Sequence, residues 1–112
     1  MVRVLVLIGI AAALAGGCRG SAGESTDGRA LFEQTCARCH GSDGHGDPVQ
    51  RINLGVPDMT DPAWQAAHTD DDIRRTVRQG SKTHKMPAFN EFYKPAQLDA
   101  LVAHVRSLAP RR

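Results

Sequence analysis

The chain has 112 residues, five of them aromatic, and 14 basic against 12 acidic residues give a formal net charge of +2. That near-neutral balance, with Asp70, Asp71 and Asp72 set directly before the arginines, excludes the dense basic face of a nucleic-acid binder. A chain this short builds one modest core, and domains of that size gain from a covalent staple.

Met1-Val2-Arg3, an apolar run over 4–15 and small residues before Cys18 follow the grammar of an export signal. The run is 12 residues long, short of the ~20 that cross a bilayer as a helix, so removal is expected rather than a retained anchor. Leu14-Ala15-Gly16-Gly17-Cys18 has the form of a bacterial lipobox. Cleavage there removes 1–17 and leaves an acylated Cys18 at the new N-terminus, holding the protein to a membrane. Ala13-Leu14-Ala15 also fits ordinary signal peptidase, which would release a soluble periplasmic protein. Either cut takes Arg3 alone and leaves a charge of +1. Residues 18–27 are small and polar without apolar periodicity and read as a flexible tether, followed by a domain over 28–109.

Within that domain Leu31 and Phe32 fall at helical spacing behind Asp27 as N-cap, predicting a helix from 28 to about 39. Gly41, Gly44 and Gly46, interleaved with Asp43, Asp47 and Pro48, predict a loop running on to Pro57. Asp61-Pro62 pairs an N-cap with a proline at the first helical position and opens a short helix over 63–67. Thr69 or Asp70 caps the next helix, where Ile73 and Val77 lie four apart, acidic residues fill the first turn and Gly80 stops it. Pro95 then opens an amphipathic helix with Leu98, Leu101, Val102, Val105 and Leu108 on one face, ending before Pro110. The expectation is an all-α domain of four helices.

The strongest chemical signal is Cys36-Ala37-Arg38-Cys39-His40, the C-x-x-C-H arrangement of covalent haem attachment. Cysteines three apart share one side of a helix end, where both thiols reach the vinyl groups of one porphyrin and the next histidine reaches the iron. A zinc site needs four ligands and a second cysteine pair, and a redox dithiol needs a strand-helix-strand context; neither is present. Met86, followed by Pro87 in a loop between two helices, is the expected sixth ligand. Met59 is expected to pack on the porphyrin, with His84 and His45 as lesser candidate ligands and His68 and His104 as surface or core residues.

These residues look like a small bacterial class I cytochrome c, over 28–108. The resemblance implies crossing N- and C-terminal helices, with short middle helices around one covalently bound haem c. Gly28 and Phe32 stand where the family packs its first helix against its last, opposite Leu101, while His104 replaces an aromatic. Pro57 resembles the proline whose carbonyl holds the proximal histidine, with Pro48 as runner-up. Met86-Pro87-Ala88-Phe89 is similar to the distal loop, and Asp61-Pro62-Ala63-Trp64 to the middle helix, where Trp64 either meets a haem propionate or simply packs.

With His40 and Met86 as axial ligands the iron has no open position, which implies a monomeric single-electron carrier rather than an enzyme. Its redox partner proteins are not named by the sequence. Arg38, Lys82 and Lys85 flank the attachment and distal loops, where they either steer an acidic partner or form an ordinary solvated surface. The rival readings are an open-site haem enzyme or ligand sensor, and a subunit docked permanently on a dehydrogenase or oxidase.

Overall fold

The computed structural model describes residues 25–111; the export signal, Cys18 and most of the tether lie outside the described residues. Six helices succeed one another: α1 (Gly28–Thr35), α2 (Ala37–His40), α3 (Pro48–Leu54), α4 (Pro62–Ala67), α5 (Asp70–Gln79) and α6 (Pro95–Ser107). The domain is all-α, with no strand among the described residues.

The helix starts follow from side-chain chemistry. The carboxylates of Asp27, Asp47 and Asp61 accept backbone N–H groups in the first turns of α1, α3 and α4, satisfying donors that a helix cannot pair internally. Pro48, Pro62 and Pro95 open α3, α4 and α6, where a missing N–H costs nothing. Thr69 and Asp72 form a reciprocal capping box at α5: Asp72 N–H donates to Thr69 Oγ1 at 3.1 Å, and Thr69 N–H to Asp72 Oδ2 at 3.0 Å.

Two expected elements are corrected. The helix expected over 28–39 is divided at Cys36, which closes α1 and opens α2; its carbonyl accepts both Cys39 N–H and His40 N–H. The loop expected from 41 to 57 contains α3, capped by Asp47 and stopped by Gly55 in the left-handed region. No residue of α3 is buried, and Val49 and Ile52 are exposed, so apolar periodicity had nothing to report there.

The core gathers Leu31, Phe32, Met59, Ile73, Tyr93, Leu98, Leu101, Val102 and Val105. It is built where α1 crosses α6. A Cβ at Gly28 would stand 2.1 Å from the Ala100 carbonyl oxygen, so only glycine permits this approach. His104 takes the place of the expected aromatic: its ring packs on Phe32 with centroids 4.9 Å apart. The substitution has a cost, because His104 Nε2 is buried without a hydrogen-bond partner.

Candidate functional site

α1, α2 and the connections after α3 and α5 enclose a cavity of about 310 Å³. Cys36, Cys39 and His40 line it from the α1–α2 junction, and Met86, Pro87 and Phe89 from the segment after α5. Leu54, Val56, Met59, Trp64, Ile73, Val77, Leu101 and Val105 supply apolar wall.

The attachment motif is held by its own backbone. Past Gly41 the chain folds back, and Gly46 N–H donates to the His40 carbonyl at 2.7 Å while Asp47 N–H donates to that of Cys39 at 2.9 Å. Carbonyls left open at the end of α2 are thus satisfied within the loop. Cys36 and Cys39 are free, half-buried thiols. Burial first, and then the neighbouring Cys39, push the Cys36 thiol up to about 11, so it stays protonated at neutral pH. Burial also lowers the His40 pKa, favouring the neutral imidazole with a free lone pair.

Met86 is positioned by Ser81, a contribution that sequence reasoning missed. Ser81 N–H donates to the Met86 carbonyl at 3.1 Å, and Met86 N–H donates to Ser81 Oγ at 3.0 Å. Beyond the loop, Phe89 and Asn90 donate to the carbonyls of Val77 and Arg78 at the end of α5. Gly80 makes this return possible: it has φ +78°, and a Cβ there would lie 2.7 Å from the Met86 carbonyl oxygen.

Met59 is buried and lines the cavity. Its N–H donates to the Gly44 carbonyl, and its carbonyl accepts from Gln65 Nε2. Trp64 lines the cavity with its ring stacked on His68 at 4.5 Å. Three expectations change. Pro57 forms part of the wall, but its carbonyl takes no hydrogen bond from His40, whose Nδ1 is buried without a partner. The Pro57 oxygen instead lies against Gly46, 3.5 Å from where a Cβ would stand. Pro48, the runner-up, opens α3 and lies outside the cavity lining. His68, expected as a surface or core residue, lines the cavity, whereas His45, His84 and His104 do not. His45 turns to Asp58, with Nδ1 3.1 Å from Oδ2.

The donor set tests which group the cavity suits. Among the described residues no three His, Cys, Asp or Glu side chains are grouped to hold a bare metal ion. Two thiols, an imidazole with an orphaned buried nitrogen and a thioether in an apolar cavity instead match a metal carried by a large apolar ring with two covalent attachment points.

Fold and site together define a c-type cytochrome. The family model for cytochrome C oxidase, cbb3-type, subunit III matches residues 23–105, and the chain belongs to that family. Curated relatives include cbb3-type cytochrome c oxidase subunit FixP of Bradyrhizobium diazoefficiens, 28% identical over 85 residues, 76% of this chain and 28% of the relative. FixP of Azorhizobium caulinodans is 30% identical, over 85% of this chain and 31% of its own length. Subunit CcoP of Rhodobacter capsulatus is 29% identical, over 76% and 29%. The chain therefore spans about three-tenths of the length of these relatives. The solved c-type cytochrome KustC0563 superposes with a TM-score of 0.68 at 33% identity, covering 75% of this chain and 99% of that one. The chain carries one covalently bound haem c, as its family and fold require.

Proposed function

We propose that this chain is an exported single-electron carrier whose haem is attached through Cys36 and Cys39 and ligated by His40 and Met86. The observation that carries the reading is the convergence of two free thiols, one imidazole and one thioether on a single apolar cavity.

The haem supplies a reversible one-electron change between ferric and ferrous iron. Cys36 and Cys39, both free thiols facing one cavity, would hold the haem covalently as two thioethers. His40, neutral through burial, offers a ring lone pair. Met86 offers a soft sulfur that favours the ferrous state. Leu54, Val56, Ile73, Val77 and Leu101 keep water from the ring, and a low dielectric further disfavours the extra ferric charge. With His40 and Met86 both holding the iron, the site would gain or lose charge and bind no substrate.

Among the described residues no helix is long and apolar enough to cross a membrane. Removal of residues 1–17 with acylation of Cys18 would tether a monomer on the periplasmic side of a bacterial membrane. The named relatives are oxidase subunits, which favours a membrane-bound oxidase among the redox partner proteins.

Intact mass of the exported protein tests attachment and anchoring together. The expected mass is that of a chain beginning at lipid-bearing Cys18 plus one haem, and a Cys36→Ala, Cys39→Ala protein without covalent haem. A mass lacking haem in the unaltered chain overturns the reading. The reduced protein is expected to bind carbon monoxide slowly at neutral pH, and rapid binding would favour an open-site enzyme or sensor.

A further inference from the structure

Met59 is a buried wall residue whose backbone is held on both sides. Its N–H donates to the Gly44 carbonyl at 2.9 Å, in the turn whose Gly46 N–H bonds the His40 carbonyl. Its carbonyl accepts from Gln65 Nε2 of α4 at 2.7 Å. The same nitrogen donates at 2.9 Å to the carbonyl of Val105 on α6, a second wall residue. One side-chain amide thus joins two segments of the wall, and it satisfies a carbonyl near the open end of α6.

Gln65 stands behind the wall and is oriented from further out. Arg106 Nη1 donates to the Gln65 backbone carbonyl at 2.8 Å and to Oε1 at 2.9 Å. A guanidinium only donates and a carbonyl only accepts, so the amide has one orientation, oxygen to Arg106 and nitrogen to Met59 and Val105. Arg106 is fixed in turn by Asp70, through Nε at 2.7 Å, and by the His68 carbonyl, through Nη2. Neither Gln65 nor Arg106 lines the cavity.

Methionine makes a pliable wall, because its side chain is unbranched and adapts to whatever gap it meets. Where the Met59 thioether lies therefore depends on how firmly the backbone beneath it is pinned. We propose that Gln65, oriented by Arg106, is a positioning residue that holds Met59 in the cavity wall, excludes water from the ring and so raises the midpoint potential; this rests on the haem reading above. A drier cavity disfavours the extra charge of ferric iron. Freeing the Met59 carbonyl lets the segment shift, admits water and lowers the midpoint.

The test compares the holoprotein with Gln65→Leu, which keeps a helix-forming side chain of similar size and removes both donors. Covalent haem content and the methionine charge-transfer band are recorded first, and their absence from the unaltered protein would overturn the haem reading instead. The expected result is a lower midpoint in Gln65→Leu, with no further fall when the same change is made in Met59→Ala, where no side chain is left to position. In hydrogen exchange the Met59 amide should be about fivefold faster in Gln65→Leu, the effect of one lost bond, while the Phe89 amide, held by Val77, is unchanged. Arg106→Lys is a milder second variant that keeps the charge but cannot serve Asp70, both Gln65 oxygens and His68 together; its midpoint should fall by less than that of Gln65→Leu. An unmoved midpoint in either single variant, an equal fall in the Met59→Ala background, or unchanged Met59 exchange overturns the proposal.

Discussion

Ser81 and Met86 clasp one another through two reciprocal hydrogen bonds, each residue donating its backbone N–H to an oxygen of the other. The Met86 sulfur is thereby offered from a closed six-residue loop, and the ordering cost of presenting it is met in the fold before any ligand arrives.

Ser81→Ala removes the bond from Met86 N–H and leaves the rest of the loop in place. A hydrogen bond of this kind contributes about 1 kcal/mol, which raises the population of loop-open molecules about fivefold. Carbon monoxide binding to the reduced protein should accelerate by that factor while haem content stays constant. An unchanged rate would show that Ser81 does not hold Met86.

Gly28→Ala drives a methyl group into the Ala100 carbonyl, whose oxygen would be 2.1 Å from the new Cβ. Alanine gains up to about 1 kcal/mol of helix propensity, but forcing α1 from α6 costs about 1–3 kcal/mol or more, so the clash wins. Chemical denaturation should show a lower midpoint with an unchanged haem spectrum, and equal stability would contradict the crossing.

His104→Phe restores an aromatic against Phe32 and removes a buried nitrogen with no partner. The expected gain is about 1–3 kcal/mol, the usual cost of such an orphan. Its pH dependence has a definite sign. Burial, the largest cause, and then Arg29 lower the His104 pKa in the folded protein, so the unfolded chain takes up the proton first. The contribution of His104 to stability is complete above the unfolded value of about 6.5 and is lost as pH falls toward the lower folded value. Denaturation at a series of pH values should show this acid-side loss diminished in His104→Phe.

Much of this was legible because the residues act locally. Asp61-Pro62, Thr69 with Asp72, Gly80 and Pro95 fix helix ends by chemistry that needs no tertiary partner, and Cys36, Cys39 and His40 carry their spacing in five residues. The same grammar was present at Asp47-Pro48 and Gly55, yet α3 buries no face and the surrounding glycines masked it. Contacts set by three-dimensional packing were not legible. Ser81 meets Met86 only once the loop has closed, His68 stacks on Trp64 beside the cavity while Arg106 from a distant helix holds its backbone carbonyl, and the Pro57 carbonyl rests on Gly46 rather than on His40.

The central claim concerns the ligand that Met86 supplies, and the redox midpoint and oxidised spectrum of Met86→Ala test it most directly. Loss of the thioether should lower the midpoint, abolish the methionine charge-transfer band and open the reduced iron to rapid carbon monoxide binding, with covalent haem retained. A Met86→Ala protein whose midpoint and band match those of the unaltered chain would contradict the account.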